Sequence, residues 1–551
     1  MTRRLTVAVA LVPVLAGCAG GDLVPGAALE SITAADLAPR IAVLASDSLA
    51  GRGPSSVGED RTMTYLQAEF TRLGLEPGND GSWYQDVPLV RSAVQGAPEL
   101  TIRGSGGAPA RFTFGSDWVG FSKRVVERAE VSNAEVVFVG YGVVAPEFGW
   151  NDYEGLDVQG KTVVILVNDP GFATQDTALF RGRSMTYYGR WTYKFEEAAR
   201  QGAAGALIVH ETEPAAYGWD VVRNSWTGPQ FSLAAEDGNL GRVAVEGWIQ
   251  LETARAIFQV AGQDYEALKA RAAQRGFRAV PLGVTASARL SLETVRSTSR
   301  NFLARLRGTD RADEYVIYMA HWDHFGTDTT REGDQIFNGA VDNATGTAGL
   351  IEVAEAFTRL STPPSRSVLF VAVTAEEQGL LGSQYYGTRP VVPLAKTVAA
   401  INMDAMNTDG RMRDITVIGY GNSELDDYVV AAAESQGRVV RPDPEPEKGY
   451  YYRSDHFSLA KVGVPAVYVD QGIDHVEHGE AWTQQRQADY RAQRYHQPAD
   501  EYDPSWDLSG LVEDLRVLFH VGFRIASGRD VPNWREGTEF KAIRDQLMGM
   551  P

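Results

Sequence analysis
The chain has 551 residues, which at roughly 100–200 residues per domain makes three or four units, or two with one of them large. Hydrophobic residues at 44% and charged residues at 22% allow sizeable cores, excluding wholesale disorder, a collagen-like repeat and a polytopic membrane protein. A net charge of -19 repels phosphate backbones, which excludes nucleic acid as a partner, and a single cysteine leaves no intrachain disulfide.

At the start, Arg3 and Arg4 precede an apolar run from Leu5 to Ala16, too short for a bilayer and suited to a signal-peptide core. It ends in Leu15-Ala16-Gly17-Cys18, which resembles the bacterial lipobox. That resemblance implies a leader over 1–17, an acylated Cys18 and a membrane held through an N-terminal lipid anchor, with the protein facing the periplasm or exterior. An ordinary secretory signal with an incidental cysteine is the alternative. Residues 18–30, with Gly20-Gly21 and Pro25-Gly26, read as a tether.

The texture then changes twice. From Ser31 to about Val90 the pattern is helical, with Met63, Leu66, Phe70 and Leu73 at helical steps and Gly74 as the stop. Between Val125 and Leu290 short β runs alternate with Gly and Asn turns, at Ala134–Val139, Lys161–Val167 and Ala204–Val209, the last after a helix through Phe195–Arg200. From Asn301 onward strands (Tyr315–Ala320, Ser367–Val373, Thr397–Met403, Ala466–Val469) alternate with helices (Gly349–Leu360, Leu508–Ile525). This alternation predicts an α/β fold, a mainly parallel mixed sheet flanked by helices, with sites beyond the carboxyl ends of its strands.

Chemistry-bearing residues fall at those ends. Tyr315–Ala320 runs into His321-Trp322-Asp323-His324, an imidazole with a carboxylate two residues on. Asp342 precedes the next helix, where a capping role is equally natural. Glu376 and Glu377 follow an apolar strand; adjacent acids suit a division into base and ligand, and equally a helix start. Asp404 ends the next strand, and Tyr495-His496 lies in a polar loop. A mixed nitrogen and oxygen set converging on one sheet edge suits a pair of zinc ions. No Gly-x-Ser-x-Gly elbow is present for a serine hydrolase.

His321-x-Asp323, Gly339-Ala340-x-Asp342-Asn343-Ala344-Thr345-Gly346, Glu376-Glu377-x-Gly379-Leu380-Leu381-Gly382-Ser383, Asn402-Met403-Asp404 and Tyr495-His496 resemble, in order, the M28 family of di-zinc peptidases. Ser454-Asp455-His456-Phe457, Gly463-Val464-Pro465 and Leu49-Ala50-Gly51-Arg52 are further marks of the family. The resemblance implies two Zn2+ per chain: His321 and Glu377 on different ions, Asp342 bridging, Asp404 and His496 completing the shells. It makes Glu376 the general base, Asp323 the residue orienting His321, Tyr495 an oxyanion donor and Arg453 a substrate contact. It also implies a cis peptide after Asp342. Lys194–His210 resembles part of the protease-associated domain inserted in several such peptidases, expected to be β-rich and to cover or shape the cleft. The expected organisation is peptidase over 31–124 and 291–530, the insert over 125–290 and a C-terminal tail over 531–551.

The implied activity is hydrolysis of peptides by an extracytoplasmic exopeptidase, most simply an aminopeptidase. A dipeptidase or carboxypeptidase, a single-zinc glutaminyl cyclase-like acyltransferase and an inactive receptor-like protein are the other readings. Side-chain preference and oligomeric state are not legible; Lys448–Arg453 and Val476–Arg494 are the stretches expected to shape the pocket. His324, His475 and His478 are not needed as ligands, Asp455 and His456 are expected to pair, and Trp322 to pack beside the site.

Overall fold
The computed structural model describes residues 24–550, so Cys18 and the expected leader lie outside the described residues. Among the described residues no helix is long and apolar enough to cross a membrane. Eight strands form the sheet that carries the site. Their spatial order is Tyr84–Gln95, Val280–Leu306, Arg366–Val373, Arg311–His321, Thr397–Asn402, Ala466–Asp470, Asp414–Ile418 and Val439–Pro442. The four in the middle, from Arg366–Val373 to Ala466–Asp470, run parallel to one another. They read as near-continuous apolar runs because helices cover both faces, and every residue of Arg366–Val373 is buried.

The helix Ser509–Ser527 covers one face through Leu511, Leu515, Leu518 and Phe519, recurring at three- and four-residue steps. Beside it lies Thr345–Thr358, with the Phe357 and Phe519 rings 4.8 Å apart. The helix Ala34–Leu44 is capped by the Thr33 hydroxyl, which accepts from the Asp36 N–H. Its Arg40 is tied to Glu352 and Glu355 on Thr345–Thr358.

Three boundaries differ from expectation. The strand Val280–Leu306 is continuous across residue 290, pairing first with Arg128–Phe138 and then with Tyr84–Gln95 and Arg366–Val373. The core under the expected insert begins before 125, because Leu100, Ile102, Phe112, Trp118 and Phe121 belong to it. Within it, Thr162–Leu166, Gly205–His210 and Val245–Gln250 are parallel strands joined through helices such as Trp191–Arg200, so the layer is α/β rather than simply β-rich. Residues 531–550 are no loose tail. Trp534 is buried and donates to the Gly463 carbonyl at 3.1 Å, and Arg544 donates to the Thr397 carbonyl at 3.1 Å.

Residues 185–196 pack against the segment 446–461. The Met185 N–H donates to the Pro446 carbonyl at 3.1 Å, the Tyr187 ring lies 5.0 Å from Phe457, and Glu196 accepts from Lys461 at 2.8 Å.

Candidate metal centre
The candidate donors arrive from five places around one sheet edge. His321 is the last residue of its strand, and Asp404 follows Thr397–Asn402 by two residues. Glu376 and Glu377 follow Arg366–Val373 after a kink at Ala375, whose φ is 53°. Asp342 lies in the turn before Thr345–Thr358, with a cis bond to Asn343 as the resemblance implies. His496 comes from the loop after the helix Glu480–Gln493.

These side chains converge as two half-sites. His321 Nε2 lies 3.1 Å from Asp342 Oδ1 and 3.2 Å from Asp404 Oδ1. His496 Nε2 lies 3.3 Å from Asp342 Oδ2 and 3.2 Å from Glu377 Oε2. The two oxygens of Asp342 therefore face different partners, which is the geometry of a bridging carboxylate. Donor atoms of His321, Asp342 and Glu377 all fall within 4.8 Å of one another.

The electrostatics fit cations at this place. Four carboxylates, with Glu376 among them, meet three imidazoles, those of His321, His496 and His324. Burial opposes a charged imidazole at His321, yet the Asp404 and Glu376 carboxylates hold it well above its usual range. Burial, with Glu377 and Asp404 close by, pushes Glu376 well above the usual carboxylate range. An excess of buried acid held apart by oxygen and nitrogen donors is what a divalent metal neutralises, and this donor set suits zinc.

A surrounding layer fixes the donors, and most of it escapes sequence reasoning. The buried Arg52 guanidinium donates to the carbonyls of Trp322 at 2.8 Å, Asn338 at 2.6 Å and Gly339 at 2.8 Å. It thus clamps the segments bearing His321 and Asp342, a physical reason for the Leu49–Arg52 stretch. Asp500 accepts from the N–H groups of Val341 and Asp342, each at 3.2 Å, and from the Tyr490 hydroxyl at 3.3 Å. Ser454, held by Asn402 Nδ2 at 2.7 Å, donates to Asp404 Oδ2. His324 Nδ1 contacts Glu377 Oε1 from behind. Asp323 supports His321 differently than expected. Its carbonyl, 3.2 Å from His321 Nδ1, makes the contact, while the carboxylate is 4.0 Å away and accepts from the Glu376 N–H.

Arg52→Met is expected to leave four carbonyls without this donor, those of Leu44, Trp322, Asn338 and Gly339, at about 1.5–3 kcal/mol for each lost bond to a charged donor. Loosening both ligand segments should lower zinc affinity by roughly 10–100-fold, the usual cost of losing outer-shell support, measurable by dialysis against a zinc buffer.

Above the donors opens a cleft of about 1000 Å³, lined by Glu376, Asp404, Arg453, Tyr468, Asp470 and Tyr495 among others. The Tyr495 ring stacks on His496 at 3.7 Å and is 42% exposed. Arg453 lies over the Tyr450 ring at 5.3 Å. Arg486, Arg491 and Arg494 reach the same cleft, Arg486 being engaged with Asp409 at 2.8 Å. His475 and His478 stack at its rim. Trp322 is fully buried and donates to the Arg300 carbonyl at 3.0 Å, so it packs beneath the site without reaching substrate. Asp455 and His456 do not pair; His456 is enclosed by the Tyr451 and Tyr468 rings, and burial takes its pKa down to about 3.

Residues 301–519 match the family model described as Peptidase family M28. Aminopeptidase NAALADL1 of Mus musculus is 36% identical over 112 residues, which is 19% of this chain and 14% of that protein. A Glutamate carboxypeptidase 2 homolog of Caenorhabditis briggsae is 32% identical over 123 residues, 21% of this chain and 14% of that protein. The chain thus spans about 14% of the length of either relative. A solved aminopeptidase from Aneurinibacillus sp. strain AM-1 superposes with a TM-score of 0.50 at 19% identity, over 92% of this chain and 97% of that one. The shared fold agrees with the mixed, mainly parallel sheet and flanking helices described above.

Proposed function
We propose that this chain, a metallopeptidase by the family match of residues 301–519, is a two-zinc exopeptidase of the cell envelope that removes N-terminal residues from peptides. The observation that carries this reading is Asp342, whose two oxygens face two different imidazoles, each of which also faces a second carboxylate, at the foot of an open cleft. His321, Asp342 and Asp404 would hold one ion; His496, Asp342 and Glu377 would hold the other. When bound, such ions polarise a carbonyl and bring the pKa of a coordinated water to about 7.

The chain's own residues do the rest. Glu376 reaches the cleft beside the donors, and its raised proton affinity suits a carboxylate that takes a proton from the attacking water and returns it to the leaving amine. Tyr495, lining the cleft next to His496, is placed to donate to the developing oxyanion, a contribution of about 2.7–4 kcal/mol for a well-aimed donor. Glu376 and Asp404 also present acid to the substrate's α-ammonium, while Arg453 contacts the substrate near the reacting centre. The insert supports this wall through its contacts with Pro446 and Phe457.

N-acetylation of a peptide is expected to lower kcat/KM by roughly 10–100-fold, the value of one lost bond to a charged group, and C-terminal amidation to change it little. The reverse pattern would reassign Arg453, with Arg491 and Arg494, to a substrate carboxylate and make the enzyme a carboxypeptidase. For the envelope placement, Cys18→Ala should move the protein from the membrane pellet to the soluble fraction with specific activity retained. A correctly processed variant that still pellets would refute the anchor.

A further inference from the structure
We propose that the cleft wall one strand over from Asp404 selects a cationic side chain, lysine or arginine, on the N-terminal residue of the substrate. The proposal rests on the aminopeptidase reading above and adds the substrate class.

The wall is set by strand register. Asp414–Ile418 and Ala466–Asp470 run antiparallel, with Thr416 opposite Asp470 and Ile418 opposite Tyr468. Alternation puts these four side chains on one face and sends Ile415, Val417, Val467 and Val469 into the core on the other. All four line the cleft. Tyr468 is in register with Asn402, the residue two before the donor Asp404, so this face adjoins the metal centre.

Its chemistry is divided in a useful way. Ile418 and Tyr468 offer apolar surface. Thr416 is 3% exposed, and its hydroxyl has no hydrogen-bond partner within the protein. Asp470 accepts only the N–H of its own neighbour Gln471, at 2.7 Å, and among the described residues no lysine or arginine lies within ion-pair distance of it. Asp443, just past Val439–Pro442, adds a second carboxylate to the lining. Burial, then Asp443, takes the Asp470 carboxyl up to about 7, as expected of an acid awaiting a cation. Two arginines of the cleft are turned elsewhere, Arg486 to Asp409 and Arg453 to the Tyr450 ring. A lysine or arginine side chain has an apolar stem and a charged head, which match the apolar pair and the Thr416–Asp470 pair respectively.

The test compares zinc-loaded enzyme on p-nitroanilides of lysine, norleucine and glutamate; norleucine keeps the stem without the ammonium. Lysine should exceed norleucine in kcat/KM by roughly 10–100-fold, the value of a charge-assisted bond, with glutamate poorest. Asp470→Asn should bring the lysine-to-norleucine ratio close to one, and Thr416→Val should reduce it. Because the ratio is internal to each preparation, a partly unfolded variant still reports. Equal rates for lysine and norleucine in the native enzyme, or an Asp470→Asn loss shared equally by both, would overturn this selectivity alone. No hydrolysis of any free-amine substrate by zinc-loaded enzyme would overturn the aminopeptidase reading and this proposal together.

Discussion

Glu376→Gln is expected to retain zinc and lose turnover by roughly 10²–10⁴-fold or more. Glutamine keeps the shape of the side chain and the backbone bond from the Glu376 N–H to Asp323, but its amide cannot take a proton. Glu377→Gln should behave differently. That carboxylate faces His496 at 3.2 Å and is held from behind by His324, so its loss removes a donor and lowers metal occupancy. Metal content by mass spectrometry alongside steady-state kinetics separates the two. Exchanged phenotypes would reverse the roles assigned to the adjacent acids.

Removal of metal by a strong chelator is expected to abolish hydrolysis, with zinc or cobalt restoring it. The same treatment should lower the melting temperature. Without cations, the carboxylates of Asp342, Glu376, Glu377 and Asp404 are crowded around the imidazoles of His321, His496 and His324, an arrangement that a bound ion stabilises. A ligand present at 100 times its Kd contributes about 2.7 kcal/mol to the folded state. Calorimetry with and without chelator therefore gives a readout independent of catalysis. Full turnover in metal-free protein would refute the mechanism; an unchanged melting temperature would refute the donor set.

The strand ends were legible because buried parallel strands leave continuous apolar runs, after which an isolated His, Glu or Asp stands out. His321, Glu376, Glu377 and Asp404 were singled out in this way, with Asp342 before its helix and His496 in its polar loop, and the motif order then implied their roles. The second layer was not legible. Ser454 reaches Asp404, and Asp500 reaches the backbone of Asp342, only through tertiary placement across 50 and 158 positions of sequence. Asp323 shows the finer limit: the residue was identifiable, but whether its carbonyl or its carboxylate faces the imidazole depends on local backbone direction. The early limit of the insert was missed because Glu99–Arg103 and Trp118–Phe121 are short and lie outside the segment whose texture had changed.

The strand Val280–Leu306 has a consequence for how the molecule can be divided. Its hydrogen bonds belong to both layers, so neither layer can be cut out without opening a ladder in the other. Excision of residues 125–290 would strip the partners from Leu100–Arg103, which pair with Thr285–Ala288, and from Trp118–Phe121, which pair with Glu246–Ile249, leaving raw sheet margins prone to pairing with other chains. A hinge at that junction is equally disfavoured, because bending it would break several rungs at once. The two layers are therefore joined as one unit by an unbroken strand.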